Sequence, residues 1–463
     1  MNLDKLFHLK ENHTDVKTEI MAGVTSFMTM AYILAVNPNI LSAAGMDHGA
    51  VFTATAVSAF IGTLCMAVFA NYPFALAPGM GLNAYFAYTV VLGMGCTWQV
   101  ALAAVLVEGI IFILLSAFHV REAIFNAIPF NLKKAVSVGI GLFIAFIGLQ
   151  NAKLVIGSST LLGLFSLEGY NQTLGEVKAT FNDAGITVLL AVIGVIITGI
   201  LAAKNIRGNI LWGILITWGM GVICQLAGAY VPNPELGFYN LLPDFSGGIS
   251  IPSLAPVFAK FSLSGVTVLE FIVIVFAFLF VDIFDTIGTL IGVASKADML
   301  DEEGRLPRIR GALMADAIGT TAGAVLGTST VTTFVESASG VSEGGRTGLT
   351  SLTTGLLFLL SLFLSPVFLA IPSFATAPAL IIVGFYMLSA VTEIDFTDAT
   401  EGIPAFICMI AMPFFYSISE GIAMGVISYV TIKLTSGRGR NLSPVMIVLA
   451  VLFVLKYIFL FQG

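Results

Sequence analysis

The sequence predicts an all-α polytopic membrane protein, and three observations lead to that fold class. Only 10% of the 463 residues are charged, whereas a soluble domain typically carries about 25% charged residues. Hydrophobic residues make up 57% of the chain, and the mean hydropathy is +0.99. Runs of the ~20 apolar residues that a membrane-spanning helix needs recur along nearly the whole length. Because these runs are long and continuous, they exclude the short alternating strands of an outer-membrane barrel.

The apolar runs form two successive sets of seven segments. The first set comprises residues 20–43, 50–71, 75–94, 98–118, 133–150, 185–203 and 209–231. The second set comprises residues 266–293, 311–327, 331–347, 349–371, 375–391, 402–434 and 443–461. Pro413 and Gly421 weaken helix continuity, so 402–434 is either one span or a hairpin of two half-helices. The last run either crosses the membrane or lies along its interface.

The distribution of basic residues predicts how the chain is oriented. Lys5, Lys10 and Lys17 precede the first apolar segment. Further basic residues cluster in alternate connections, at Arg121, Lys133, Lys134, Lys204, Arg207, Lys296, Arg305, Arg308, Arg310 and Arg346. Since loops rich in Lys and Arg remain on the cytoplasmic side, we expect a cytoplasmic N-terminus and a multi-pass protein of the cell inner (plasma) membrane.

Two segments are interrupted by polar or glycine-rich sequence at matching places. They are "ANYPFALAPGMGLNAYFAY" (70–88) and "GTSTVTTFVESASGVSEGG" (327–345). In hydrocarbon, irregular backbone is tolerated only where protein or a water-filled cavity surrounds it. The dipeptide Gly-Thr at 62–63 and again at 319–320 precedes each interruption, with the same offset of 257 residues. This pattern predicts two structural repeats whose broken helices face each other at a transporter's binding site.

Carboxylates within the apolar segments are the first candidates for that site. Glu336 begins the second half-helix, where the spacing from Thr333 also fits a capping box as a purely structural alternative. Asp285 lies in "FLFVDIFDTIGTLIGVA" (278–294), three residues after Asp282 and nearer to a polar patch. Because intramembrane acids are costly and usually functional, we assign Glu336 and Asp285 to the site. Asp282 is the structural alternative for that segment.

Other polar or aromatic residues in these segments complete the prediction. Asn83 begins the first half-helix, and its amide can both donate and accept hydrogen bonds. Phe334 stands beside Glu336, where its ring face can stack on a flat ligand or simply pack in the core. Thr333 joins the same set of substrate-binding candidates. Asp316 and Glu108 are also intramembrane acids, but we expect them to hydrogen-bond neighbouring helices.

Several function classes lack the residues they need. Four cysteines and four histidines are scattered without disulfide or metal spacing, so we expect no cofactor and no metal. No P-loop is present, which excludes an ATP-driven pump. The G-x-S-x-G match at 340–344 lacks the strand–turn–helix setting that a serine nucleophile requires. We therefore predict that the protein is not an enzyme, and we expect no nucleic-acid partner.

Four blocks of sequence resemble the signature motifs of one transporter family. They are "MAGVTSFMTMAYILAVNPNIL" (21–41), "ALAPGMGLNAYFAY" (75–88), "FVDIFDTIGTL" (280–290) and "TSTVTTFVESASGVSEGGRTGLTS" (328–351). The chain resembles the azaguanine-type hypoxanthine/guanine permeases over essentially its whole length. These permeases are a branch of the nucleobase–cation symporters related to the uracil and xanthine permeases.

The resemblance implies an architecture of about fourteen segments in a seven-plus-seven inverted repeat, often in a homodimer. A core domain would comprise segments 1–4 and 8–11, and a gate domain segments 5–7 and 12–14, with short strands in segments 3 and 10. The implied division of the chain begins with an N-terminal cytoplasmic segment (1–18), followed by the first portions of the core domain (19–118) and of the gate domain (119–231). A connecting loop (232–265) then leads to the second portions of the core domain (266–371) and of the gate domain (372–463).

The resemblance also implies roles for individual residues. The family's essential acids fall on Asp285 and Glu336, and its third-segment asparagine falls on Asn83. We expect Glu336 to accept N–H bonds from a purine base, and Asp285 and Glu336 to couple uptake to protons. The predicted function is import of hypoxanthine or guanine by proton symport, with elevator-like movement of core against gate. The alternatives are an adenine permease or a uracil or xanthine permease of the same fold, followed by a channel or an intramembrane enzyme.

Overall fold

The apolar segments fold as helices in a computed structural model that describes residues 3–117, 129–158, 161–168, 178–246, 250–296, 299–300 and 306–460. In the first half the main helices are α1 (Val16–Met30), α2 (Ile33–Ala43), α3 (His48–Cys65), α4 (Met80–Ala84), α5 (Trp98–Ala117), α6 (Phe130–Asn151), α7 (Ile186–Ala203) and α8 (Asn209–Leu226). In the second half they are α9 (Val268–Lys296), α10 (Ile309–Leu326), α11 (Ser337–Ser342), α12 (Gly348–Ser361), α13 (Ser365–Leu369), α14 (Ser373–Leu388), α15 (Ala399–Phe414), α16 (Ile418–Thr435) and α17 (Pro444–Leu460).

Short elements supplement these helices. The strands are β1 (Leu76–Pro78), β2 (Val155–Ser158), β3 (Leu161–Leu164) and β4 (Val331–Thr333). A short helix, Leu3–Phe7, precedes α1, and π-helical turns lie at Met66–Ala70, Tyr85–Gly93 and Phe181–Gly185. Single 3₁₀ turns lie at Pro234–Leu236, Leu362–Leu364, Ser389–Glu393 and Gly439–Asn441. The π-helical stretch Tyr85–Gly93 continues α4 directly, so the half-helix that begins at Met80 extends to Gly93.

Many of these helical stretches have the length and composition of membrane spans. Among the residues that the structure describes, eight stretches are long and apolar enough to cross a bilayer. They are Val16–Ala43, His48–Ala70, Trp98–Ala117, Phe130–Asn151, Phe181–Ala203, Asn209–Leu226, Gly348–Leu369 and Ser373–Glu393. The protein is therefore a mostly helical, multi-pass membrane protein.

The helices pack in two groups. In the first group, α10 packs against α3 and α5, and α12 packs against α1 and α3. In the second group, α6 packs against α14, α15 and α16, while α7 and α8 pack against each other and against α14. Both interrupted segments lie in the first group, where α11 contacts α1 and β1 contacts α3.

The two halves of the chain meet where their broken segments pair. β1 and β4 are antiparallel, with Leu76 opposite Thr333 and Pro78 opposite Val331. Behind this pair, α3 and α10 approach closely at two glycines. A Cβ atom added to Gly319 would lie 3.2 Å from Gly62 Cα, so only glycine permits this approach without displacement. The two Gly-Thr dipeptides that repeat in the sequence therefore lie next to each other in the structure.

The threonines of the same dipeptides hold the strands. The Thr63 hydroxyl accepts from Leu76 N at 2.9 Å and lies 3.1 Å from Leu76 O. The Thr320 hydroxyl donates to Val331 O at 2.9 Å. Since irregular backbone in a membrane needs partners inside the protein, these side chains make short strands possible at membrane depth.

Two details differ from the sequence-based expectation. A second antiparallel pair, β2 with β3, follows α6, whereas strands were expected only in segments 3 and 10. The first long helix begins at Val16, inside the expected N-terminal segment 1–18. Its N-cap Asp15 accepts from Lys17 N and Thr18 N, which explains the earlier start. The expected boundary at 118–119 lies outside the described residues.

The run 402–434 is a hairpin of two helices, α15 and α16. The break lies at Phe415–Ser417, where Tyr416 has a left-handed backbone with φ of 52°. Ser417 caps α16 by accepting from Glu420 N at 3.3 Å. Pro413 and Gly421, on which the expectation rested, lie within the two helices on either side of the break.

A buried carboxylate connects the interrupted segment to α1. Glu19 is fully buried and accepts hydrogen bonds from Arg346 N at 2.8 Å, Thr350 N at 3.1 Å and Thr350 Oγ1 at 2.6 Å. These groups lie at the start of α12, whose first amides have no partner within the helix. Glu19 therefore fixes the chain that leaves α11 against α1.

We expect Glu19→Ala to lower the thermal midpoint of the purified protein by several degrees. The substitution leaves buried donors without an acceptor, which costs about 3 kcal/mol when the lost acceptor is charged. The midpoint should be measured in detergent beside Glu11→Ala, which removes an exposed acid of the same N-terminal region. Equal midpoints for the two variants would contradict the role given to Glu19.

Candidate functional site

The first half-helix begins at the end of β1. Gly79 N donates to Thr330 O at 3.0 Å, which extends the strand pairing to the N-cap of α4. A Cβ atom at Gly79 would lie 2.5 Å from Thr332 Cγ2 and 3.4 Å from Asp285 Oδ2. The absence of a side chain at Gly79 therefore lets β4 and Asp285 approach the start of α4.

The second half-helix begins at Glu336, beyond the end of the strand pair opposite to the start of α4. Glu336 is the N-cap residue of α11, but its side chain makes no capping hydrogen bond. The Tyr32 hydroxyl donates to Glu336 Oε1 at 2.8 Å instead. Thr333 Oγ1 is buried and has no hydrogen-bond partner among the described residues. The capping box that was the structural alternative for Thr333 and Glu336 is therefore not formed.

An aromatic pair lies beside Glu336. The rings of Tyr32 and Phe334 have centroids 6.5 Å apart and planes tilted by 48°. Phe334 is only 5% exposed. Its backbone N donates to Ala75 O at 3.0 Å, which continues the pairing of β4 with the segment before β1. The position of Phe334 is thus fixed by both its backbone and its ring.

The two aspartates of α9 have different surroundings. Asp282 is fully buried and Asp285 is half-buried. Asp282 Oδ1 lies 2.8 Å from Thr286 Oγ1, and Asp316 Oδ1 lies 2.7 Å from the same hydroxyl. Thr332 Oγ1 lies 2.6 Å from it. Asp282 and Asp316 therefore join α9, α10 and β4 in one buried polar network, whereas Asp285 is left at the start of α4.

The helices associated with the two site acids contact each other. α9 carries Asp285 and packs against α11, and Glu336 is the N-cap residue of α11. Asp285 and Glu336 therefore lie on neighbouring elements.

Asn83 lies in the protein interior and not at an exposed surface. It is fully buried, it accepts a hydrogen bond from the Ser329 hydroxyl, and its Nδ2 donates to Pro78 O at 3.4 Å. In the same region, Thr330 Oγ1 donates to Glu108 Oε2 at 2.6 Å. The structure thus gives Asn83 and Glu108 partners in the loop before β4, and contact of Asn83 with a ligand stays a prediction.

The first packing group meets the second along the first half-helix. A Cβ atom at Gly81 would lie 2.8 Å from Ile140 Cγ2 of α6 and 3.9 Å from Ile418 Cδ1 of α16. Further along, Tyr88 packs edge-on against Tyr416, with ring centroids 5.9 Å apart. Small and aromatic residues therefore line this boundary, and the half-helix carries the site close to it.

Tyr32 is the residue of this site that sequence reasoning missed. It lies between α1 and α2, is 1% exposed and contacts an acid 304 positions away. A tyrosine in the middle of an apolar span carries a hydroxyl that needs a partner, which was the available signal. The identity of that partner required the three-dimensional structure. Among the described residues, no group of three or more His, Cys, Asp or Glu could hold a metal ion.

A polytopic helical protein with two opposed broken helices and intramembrane acids at their ends belongs to the class of membrane permeases. Residues 17–424 match a family model described as "Permease family". The chain belongs to this permease family, and it is a transport protein rather than an enzyme. The resemblance to a purine nucleobase permease branch is confirmed by the relatives that follow.

Two relatives match almost the full length. The adenine permease AdeP of Escherichia coli (strain K12) is 42% identical over 460 residues, which cover 99% of this chain and 96% of that protein. The guanine/hypoxanthine permease PbuO of Bacillus subtilis (strain 168) is 42% identical over 455 residues, which cover 97% of this chain and 99% of that protein. The names of the two relatives thus specify different purines, although both proteins are 42% identical to this chain.

A solved structure shares the fold at low sequence identity. The transmembrane domain of a cyanobacterium bicarbonate transporter, BicA, superposes with a TM-score of 0.63 and 13% identity. The match covers 89% of this chain and 97% of that domain. This similarity shows a shared fold and nothing about the substrate.

Proposed function

We propose that the protein is a secondary active transporter that imports the purine bases hypoxanthine and guanine together with protons. The observation that carries this proposal is the Glu336 carboxylate, held at the N-cap of α11 by a bond from Tyr32. An ionised carboxylate only accepts hydrogen bonds. It is therefore matched to a neutral, planar base whose ring edge presents N–H groups, such as N1–H and the amino group of guanine.

The surrounding residues have proposed roles in binding. Phe334 covers a ring face of the base, since its ring lies beside Glu336 with Tyr32 behind it. Thr333 supplies a hydroxyl that has no protein partner in the described residues. Asn83 serves acceptor atoms of the base or holds the loop that shapes the site. Burial of polar groups without partners is costly, which supports a ligand as the partner of Thr333.

Proton coupling is assigned to Asp285 and Glu336. Asp285 lies at the start of α4 and is half-buried, whereas Asp282 and Asp316 are fully buried. Intramembrane carboxylates of this kind are typical of proton relays in transporters. In the proposed cycle Asp285 takes up a proton on one side and releases it on the other, while Glu336 contacts the base.

The proposed movement is that of an elevator. The first packing group would be the core domain (19–118 and 266–371) and the second the gate domain (119–231 and 372–463), within a seven-plus-seven inverted repeat. The pairing of β1 with β4 and the glycine contact of Gly62 with Gly319 relate the two halves around the site. The core would carry the base past the gate in an inner (plasma) membrane protein with a cytoplasmic N-terminus, as a homodimer.

Adenine transport is the second candidate. The adenine permease AdeP and the guanine/hypoxanthine permease PbuO are equally similar to this chain, at 42% identity. Adenine has an unprotonated N1 and so offers an acceptor where hypoxanthine offers a donor. The unprotonated N1 and an ionised Glu336 are both hydrogen-bond acceptors and repel each other. We therefore place adenine second.

A competition assay tests this proposal. Uptake of labelled hypoxanthine should be measured in cells that lack other purine transporters, against excess adenine, guanine, xanthine or uracil. We expect guanine and unlabelled hypoxanthine to abolish uptake and adenine to compete weakly, because adenine lacks the N1–H and a site built around a hydrogen bond rejects analogues that lack it. Dissipation of the proton gradient should reduce accumulation. Inhibition by uracil or adenine alone would contradict the assignment.

A further inference from the structure

We infer that Tyr32 sets the choice between purines by holding the Glu336 carboxylate in the role of hydrogen-bond acceptor. The inference rests on the proposed purine transport and adds a specificity-determining residue to it. Tyr32 does not belong to either interrupted segment, and it acts on the base through Glu336.

The geometry limits how Glu336 can be placed. Tyr32 is 1% exposed, and its hydroxyl lies 2.8 Å from Glu336 Oε1. Near the end of α1, Thr29 Oγ1 lies 3.4 Å from Glu336 O, a long contact that still keeps α1 beside the N-cap. The Tyr32 ring is itself held against Phe334. The carboxylate is therefore held from the side of α1, through a tyrosine with little freedom to move.

The direction of the hydrogen bond determines what the carboxylate offers. A tyrosine hydroxyl has one hydrogen, and an ionised carboxylate has only acceptor sites, about four in number. When Tyr32 donates, the pair is matched and the remaining acceptor sites of Glu336 stay available to a ligand. A protonated Glu336 would instead have its own O–H to place, and that O–H can point to the ligand.

These two forms of Glu336 suit different bases. The acceptor form pairs with the N1–H of hypoxanthine or guanine. The protonated form can donate to the bare N1 of adenine while accepting from the adenine amino group. Removal of the Tyr32 hydroxyl takes away the donor that matches the acceptor form. We therefore expect the preference to move from 6-oxopurines towards adenine.

The test compares Tyr32→Phe with Tyr230→Phe. The first substitution removes only the hydroxyl and keeps the ring that packs on Phe334. The control removes a hydroxyl that is equally buried and donates to the backbone O of Tyr239 at 2.7 Å. The amount of each variant in the membrane should be quantified. KM and Vmax for labelled hypoxanthine, and the inhibition constants of adenine and guanine, should then be measured for each.

For Tyr32→Phe we expect KM for hypoxanthine to rise about tenfold, because fewer molecules hold Glu336 as the acceptor for the N1–H of the base. Vmax per molecule should change little, and the ratio of the adenine inhibition constant to the KM for hypoxanthine should fall about tenfold or more. Tyr230→Phe should retain wild-type values. An unchanged ratio, a loss confined to Vmax, or failure of only Tyr32→Phe to reach the membrane would show a structural role and overturn the inference. Wild-type protein that transports no purine would overturn the proposed function itself.

Discussion

Replacement of Glu336 by glutamine is expected to abolish uptake of hypoxanthine and guanine. The substitution keeps the size of the side chain but exchanges one acceptor oxygen for an NH2 donor. In the wild type the Tyr32 hydroxyl donates to Glu336 Oε1 at 2.8 Å. In the variant the new NH2 donor faces another donor, which is either the Tyr32 hydroxyl or an N–H group of the base. Hydrogen bonds to a charged group contribute about 1.5–3 kcal/mol each, so loss of two should reduce uptake at least ~100-fold. Initial rates of labelled hypoxanthine uptake measure the effect.

The control for this experiment is Glu235→Gln, which makes the same chemical change at an exposed residue outside the site. Its uptake should equal that of the wild type. Both variants need equal amounts in the membrane, which immunoblotting of membrane fractions can establish. Wild-type uptake by Glu336→Gln at equal abundance would remove the proposed role of the acid in base recognition.

The Asp285→Asn variant is expected to separate movement of the base from movement of the proton. Asparagine is close in size to aspartate and can still hydrogen-bond, but it cannot carry a proton between the two sides. The variant should therefore exchange labelled for unlabelled base across the membrane while losing accumulation driven by a pH gradient. A gradient of one pH unit corresponds to ~1.4 kcal/mol per proton. If one proton accompanies each base, this gradient drives up to about tenfold accumulation of the base in the wild type. In the variant it should drive no accumulation.

Reconstituted vesicles allow both activities to be measured on the same protein. Asp244→Asn provides the matched control, because Asp244 is exposed and lies in the connection between the two halves. The control should retain exchange and accumulation alike. If Asp285→Asn still accumulates base in response to the pH gradient, another group carries the proton.

Sequence alone predicted those regions of the molecule that follow from local composition. Apolar length located the helices, and the polar runs at 70–88 and 327–345 located the two interrupted segments. Pro413 and Gly421 left 402–434 open as one span or a hairpin of two half-helices, and the turn itself lies between them at Tyr416. Helix-weakening residues thus indicated the region of the break, while the left-handed backbone that forms it carried no sequence signal.

Contacts between distant regions of the chain could not be predicted in the same way. Tyr32 and Glu336 are 304 positions apart, and Glu19 meets Thr350 across 331 positions. Neither pair leaves a periodic or spaced pattern in one sequence. The polar patch that follows Asp285 favoured it over Asp282 for the site, but the sequence indicated no partner for either acid. The buried network of Thr286 with Asp282 and Asp316 gives Asp282 structural partners, and the role of Asp285 in the site stays a prediction.

The pairing of β1 with β4 constrains how the protein is made. Thr333 lies opposite Leu76 but leaves the ribosome 257 positions later. At about 5–20 residues per second, the earlier strand waits roughly 10–50 s for its partner. Its open backbone groups need partners inside the protein during that time, so we expect the segment 75–94 to complete its packing only after β4 has been synthesised. We expect nascent chains that stop before Val331 to hold a first half in which β1 has no partner strand.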